Sequence, residues 1–554
     1  MRARKLTPRR AVLGASMAVA LAATAVPAAA DASPVAESGP KPPAIQPRAC
    51  ANPEGETPIP ADWRCGYLEV PLEYRAKGGY GDSAASDRTA GTVRLAIAYR
   101  PAGDPAARVG ALFLNPGGPG GSGIDLARGG AWAEEVSPEV RERFDLVTWD
   151  PRGVGESTQL RCAADDEARE DLDELAAPYQ APRSTAELRG NLGAADQLAK
   201  SCHTHAGPLL SHVSTMENVH DLDRLRGAFH DPRLNYFGIS YGTTIGAVYA
   251  NVFPHKVRAM ALHGVVDNPA RFNDLQRYVA TDAEESDRTM EAVLAACDRA
   301  GSAVCALAGG AEAKYRRLVE KFGSDDSGGA EAREAWLATV GNARALSGSF
   351  TASAASQAAA NLQKLYAAAF PADGTTTFSM PRLAPTPRPG FLKPAYTHSG
   401  DDVLNATNCT DLPPAPRSDA GWTGVWGRAR TASTLDGAML TGAYTVCRSL
   451  RDRSPLPRWT GPWDRTRAKV LLLNETHDQA TSLAWAERMR EAMGSRAALV
   501  PIDGFGHGVG TACSRKVMEE HLLTTRLPAS GTRCADGIRN PFLNTAKTFG
   551  LFGK

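Results

Sequence analysis

The chain predicts an α/β fold: a mostly parallel sheet with flanking helices, interrupted by a large helical cap insertion. Three observations carry this prediction. Short apolar runs at 110–114, 144–150, 234–238 and 257–266 alternate with stretches of helical spacing at 216–229 and 243–251. Helical spacing then takes over between about 268 and 460, at 272–279, 290–297, 315–322, 335–340 and 362–370. Strand texture returns at 468–474 and 498–502, so a single sheet domain is expected to be split by the helices.

The N-terminus reads as a targeting segment. Arg2, Arg4, Lys5, Arg9 and Arg10 precede a small and apolar stretch, and Ala28-Ala29-Ala30 offers a cleavage site. Residues 1–30 are therefore expected to be a signal peptide. Residues 31–48, rich in Pro, Ala and Ser, are expected to be a disordered leader or pro-segment. The first part of the sheet domain is assigned to 49–267, the cap to 268–460 and the C-terminal part to 461–554. Strands are expected at 66–72 and 92–99, followed by 110–114, which runs into the loop Asn115-Pro-Gly-Gly-Pro-Gly-Gly-Ser-Gly123. Thr215 is the expected N-cap of the helix over 216–229.

Composition narrows the function. The 554 residues carry 62 Lys and Arg against 61 Asp and Glu, a net charge of +1, which gives no field for nucleic acid or an anionic membrane. After the leader no stretch reaches the ~20 apolar residues of a membrane helix. The 10 cysteines suit an oxidising compartment. Pairing each with the next would close five local loops (50/65, 162/202, 297/305, 409/447 and 513/534), although spacing alone does not settle connectivity. The absence of C-x-x-C argues for disulfides rather than zinc.

Gly238-Ile239-Ser240-Tyr241-Gly242 is a G-x-S-x-G pentapeptide between an expected strand and an expected helix. A sharp turn there throws the serine hydroxyl out above the sheet. A nucleophilic serine needs a base, and the base an orienting acid. Asp478 and His507 follow the two late strands, where catalytic groups of open α/β sheets gather. Asp267 is the alternative acid; His477 and His521 are the rival bases. Two backbone N–H groups must face the oxyanion of the tetrahedral intermediate, and Tyr241 and Gly118 are the candidates. Gly118-x-Gly120-x-x-Gly123 also matches a dinucleotide fingerprint, but Pro116 and Pro119 suit a stiff turn better than a helix start. Asp150-Pro151-Arg152-Gly153 reads as a turn with a packed arginine, with loop-holding hydrogen bonds as the alternative.

Taken in order, "CGYLEVPLEY", "LFLNPGGPGGSG", "DLVTWDPRGVGES", "YFGISYGTTIGAVYANVFP", "ALHGVVDNPA", "VLLLNETHDQATS" and "GFGHG" resemble the exported tripeptidyl aminopeptidases of the α/β-hydrolase superfamily, relatives of prolyl aminopeptidases. The likeness runs from about Cys50 to Cys534. It implies an α/β-hydrolase fold, Ser240 as nucleophile, Asp478 as acid, His507 as base, and an oxyanion site in the glycine loop. It also implies release of short peptides from free N-termini, without metal or organic cofactor. Two positions depart from the family pattern: His477-Asp478-Gln479-Ala480-Thr481 stands for an L-D-P-V-T type of acid loop, and His263 stands where an aspartate is usual. An extended tripeptide spans on the order of 10 Å, so a carboxylate about that far from Ser240 is expected to take the substrate ammonium. Glu284, Glu285 and Asp411 are the candidates. The other readings are an exported esterase or amidase of the same fold and a non-catalytic binding protein on a hydrolase scaffold.

Overall fold

The computed structural model describes residues 44–52, 57–74, 91–324, 329–348, 351–374, 377–385 and 396–544. The expected signal peptide and most of the expected leader lie outside these residues. The end of the leader does not: Gln46–Arg48 forms β1 and pairs antiparallel with the next strand, so the ordered domain begins before residue 49.

Nine strands are found among the described residues. After β1 come β2 (Arg64–Pro71), β3 (Thr92–Arg100), β4 (Gly110–Asn115), β5 (Phe144–Trp149), β6 (Leu234–Ile239), β7 (Val257–His263), β8 (Val470–His477) and β9 (Ala497–Phe505). They form one sheet in the order β1-β2-β3-β5-β4-β6-β7-β8-β9. Pairing is antiparallel from β1 to β5 and parallel from β5 onward. Every residue of β4 and β6 is buried, as expected of strands covered on both faces by helices. From β4 the chain moves to β5 on one side and then returns to β6 on the other. Their ends are in register, Asn115 opposite Gly238. The glycine loop after β4 and the serine turn after β6 therefore leave the sheet side by side, at the crevice where open α/β sheets bind ligands.

Elements differ from expectation at their ends. β7 stops at His263, because Gly264 turns with φ +67° and its N–H bonds Leu473 O (3.0 Å). β8 and β9 run further than expected, their pairing continuing through an irregularity to His477 opposite Phe505. The helix Thr215–Ala228 is capped by Ser214, not Thr215: Ser214 and Glu217 form a reciprocal capping box. Thr215 is free for another task, described below.

The cap contains the helices Leu275–Ala300, Ala311–Phe322, Ala330–Ser347, Ala352–Ala369, Ser399–Asp411, Asp419–Ala432 and Thr434–Tyr444. The first of these fuses two expected helices. The last three were not expected: Gly- and Thr-rich sequence obscures their apolar face. The cap has a core of its own around Val293, Leu294, Leu318, Trp336 and Leu362. The segment before the serine turn joins it. Trp336 Nε1 donates to Ala181 O (2.7 Å), and Leu188 and Leu192 of the helix Thr185–His205 pack with Trp422 and Val425. The five disulfides pair each cysteine with the next. Among the described residues no helix is long and apolar enough to cross a membrane.

Candidate active site

The serine turn is strained, and the strain is built in by its neighbours. Ser240 sits at φ 57° and ψ −125°, a region that costs a non-glycine residue about 1–3 kcal/mol. Its N–H bonds His263 O (3.0 Å) and its carbonyl accepts from Thr243 N (2.8 Å) and Thr243 Oγ1 (2.6 Å). Both flanking glycines are sterically required. A Cβ at Gly238 would lie 2.6 Å from Gly242 O, and one at Gly242 would lie 2.8 Å from Asn115 O.

The glycine loop closes on this turn. A Cβ at Gly117 would stand 2.4 Å from Ile239 O, 2.8 Å from Tyr241 N and 3.0 Å from Ser240 Cβ. Two glycines of the fingerprint spacing, Gly120 and Gly123, have separate reasons. A Cβ at Gly120 would meet Gly400 O of the cap at 2.0 Å, and one at Gly123 would meet Thr148 Oγ1 at 2.2 Å. Gly118 holds φ +109° and, with Pro119, Ser240 and Tyr241, lines a cavity of about 380 Å³. Asp150 pins the loop from beneath. It accepts from Ser122 Oγ (2.6 Å), Ile124 N (3.1 Å) and Glu156 N (2.7 Å). Burial, then the nearby Asp125, pushes its carboxyl up to about 7. Arg152 is the packed arginine: it is fully buried and forks onto Asp221 with both bonds at 2.7 Å. So the Asp150–Gly153 turn both packs an arginine and holds the loop.

Asp478 and His507 meet as the sequence predicts. His507 Nδ1 lies 2.9 and 3.0 Å from the Asp478 oxygens. Asp478 is itself held by Ala480 N (2.8 Å), Thr481 N (2.9 Å) and Thr481 Oγ1 (2.8 Å). His507 rests on Gly264, where a Cβ would come within 3.1 Å of its ring. Gly508 lies against Ile239, so the base loop abuts the serine turn. Burial opposes the imidazolium; the charge and hydrogen bond of Asp478, with the charge of Glu475, outweigh it and hold His507 above the usual histidine range. The rivals are engaged elsewhere. Asp267 caps the helix Asn268–Asn273 and accepts from Arg488 (2.6 Å). His477 stacks on Phe505, and His521 faces Arg526 O (3.0 Å).

Thr481 was not anticipated. Its hydroxyl lies 2.8 Å from Asp478 and 3.2 Å from His507 Nδ1. A threonine three residues beyond an acid in a loop is the available signal, since such hydroxyls return to the preceding carboxylate.

The three carboxylates expected to meet the substrate ammonium do not line the cavity. Glu284 and Glu285 pair with Arg288 at the helix surface. Asp411 is buried and spends both oxygens on Thr215 (N 3.0 Å, Oγ1 2.6 Å), with Arg271 3.5 Å away. Thr215 Oγ1 in turn meets the Tyr241 hydroxyl (2.6 Å). Asp411 therefore braces Tyr241. The cavity instead presents Asp282 and Asp436, with Arg271 and Arg344 on the same lining. Asp282 and Ser286 are four residues apart and face it together, whereas Glu284 falls on the far side of the helix turn. Burial and the charges of Asp436 and Asp478 push Asp282 well up; burial and Asp287 push Asp436 up to about 7.

Comparison with known proteins agrees with this fold. Residues 110–297 match a model described as alpha/beta hydrolase fold, and residues 433–534 one described as TAP-like protein. The serine protease Hip1 of Mycobacterium tuberculosis is 30% identical over 502 residues, covering 88% of this chain and 90% of that protein. The chain belongs to the tripeptidyl aminopeptidase family of the α/β-hydrolase superfamily. The tripeptidyl aminopeptidase of Streptomyces lividans is 28% identical over 499 residues, 86% of this chain and 85% of that one. A protein named carboxylesterase B, from Mycobacterium tuberculosis, is 29% identical over 496 residues, 85% and 86% of the two chains. This family member is a serine hydrolase, a peptidase of the α/β-hydrolase type, and its five disulfides fit a secreted protein.

Proposed function

We propose that the protein is an exported tripeptidyl aminopeptidase. In this reading His507 takes the Ser240 proton and Ser240 attacks the scissile carbonyl. The N–H groups of Gly118 and Tyr241 hold the oxyanion. His507 then protonates the leaving amine, and water releases the acyl group. Asp478 and Thr481 fix the imidazole.

The observation that carries the reading is the shared cavity. Ser240 and Gly118 from the sheet, and Asp282 and Asp436 from the cap, line the same space. Burial keeps both carboxylates raised despite the nearby Arg344, and a further cation bound between them relieves this. A peptide ammonium held there, with its carbonyl at Ser240, measures off a short N-terminal stretch. The tripeptide length follows the named relatives, and export follows the basic and apolar N-terminus together with the disulfides. The test compares a tripeptide anilide, its N-acetylated form and a simple ester. The free-amine anilide is expected to have the highest kcat/KM. Preference for the ester would favour the esterase reading that the carboxylesterase B relative suggests.

A further inference from the structure

Beneath the triad lies a second carboxylate–histidine pair that the mechanism does not use. Glu475 is on β8, three residues before Asp478, and only 1% exposed. Its Oε1 accepts from Val509 N (2.7 Å) and faces His263 Nε2 (3.0 Å); its Oε2 is buried without a hydrogen-bond partner. Both ends of the base loop touch it, since Val509 donates to it and a Cβ at Gly506 would lie 3.3 Å from Glu475 Cγ. His263, at the end of β7, supplies the carbonyl that receives Ser240 N–H. One buried contact thus joins the backbone that aims the serine to the loop that carries the base.

Burying an ionised carboxylate with one oxygen unbonded is expensive, and an apolar side chain would pack this strand end more cheaply. Rule-breaking groups of this kind belong at functional sites. We propose that Glu475 and His263 are positioning residues: the pair locks the His507 loop to the serine turn, and its carboxylate stabilises the His507 imidazolium that forms during acyl transfer. The inference rests on His507 being the base.

Asp478 and Glu475 both act on the charge of His507, and His263 and His507 on that of Glu475. Burial opposes the Glu475 charge, and the two histidines outweigh it, holding Glu475 below its ordinary range. A negative Glu475 raises the His507 pKa, so neutralising it lowers that pKa and moves the acid limb of kcat/KM to lower pH.

Glu475→Gln keeps an oxygen for Val509 N–H and removes only the charge. Its acid limb is expected to move down by on the order of half a pH unit or more, with KM unchanged and the plateau of kcat reduced within about tenfold. Glu475→Asp keeps the charge but shortens the reach: its limb is expected near the wild-type position, with a lower plateau. A purely structural role would lower the plateau in both variants without moving the limb of Glu475→Gln, and that result overturns the proposal. If Glu475→Gln lacks a cooperative melt, Glu475→Met replaces it. It too removes the charge, so the limb again moves down; a limb coincident with wild type overturns the proposal. Ser240→Ala run in parallel separates the two claims, since retained turnover there overturns the underlying reading whatever the limb does.

Discussion

Ser240 holds a backbone conformation that its side chain disfavours, and three neighbours over-determine it: Gly238, Gly242 and the carbonyl of His263. Ser240→Ala is therefore expected to fold normally and lose about four orders of magnitude or more in kcat, checked by steady-state kinetics beside a thermal melt. Thr481 is a subtler case. Replacing it with valine keeps the shape but removes the hydroxyl bonds to Asp478 and His507. One such bond is worth about 1 kcal/mol, so kcat is expected to fall by on the order of tenfold with KM unchanged. The proposed triad was legible because each member follows a strand and carries its own local signal: G-x-S-x-G, an acid loop, and a histidine between glycines. Glu475 and the cavity pair Asp282 and Asp436 were not. A carboxylate in a strand or helix carries no mark of its partner, and theirs come from elements distant in sequence.

Among the elements, the loop between β4 and the helix Gly123–Ala127 does the most with the least. Gly117, Gly120 and Gly123 are three separate steric concessions, to the serine turn, to the cap and to β5. The last two belong to the dinucleotide spacing, so close packing in this fold accounts for glycine at both. Gly117→Ala is expected to cost about 1–3 kcal/mol of stability and at least tenfold in kcat, because the new methyl presses on Ile239 O, Tyr241 N and Ser240 Cβ; Gly193→Ala, at a helix site with open space, is the control. A melting curve and kcat/KM measured on both variants check this. The sheet was readable strand by strand, since buried parallel strands are short apolar runs. Strand ends were less readable: β7 stops at a glycine turn, and β8 continues through polar residues that only its pairing with β9 keeps in the sheet. In the cap, one charged and amphipathic helix spans two expected ones, while the Gly- and Thr-rich helices after residue 398 lack a periodic signal.

At the scale of the whole molecule, the proposed function draws its chemistry and its choice of substrate from different layers. The sheet supplies Ser240, Asp478 and His507, and the cap supplies Asp282 and Asp436. Each layer brings its own titration. His507 is held above the ordinary histidine value of about 6.5; as the proposed base it must be neutral, so activity is expected to fall as pH drops through its raised pKa. Asp436 is pushed up to about 7; in the proposed role it holds an ammonium only when ionised, so it is expected to add a second loss on the same acid side. On the alkaline side, the α-amino group of the peptide loses its charge at about 7.7–8.0. A free-amine tripeptide anilide is therefore expected to show an optimum of kcat/KM between about 7 and 8, with an acid limb steeper than one proton. Its N-acetylated counterpart has no ammonium to lose, so its limb should be single and its alkaline side flat. Asp436→Asn should raise KM for the free-amine substrate by about 10–100-fold, reduce its acid limb to one proton and leave the acetylated substrate nearly unaffected. Equal effects on both substrates would place the carboxylate in the fold of the cap rather than in contact with the peptide.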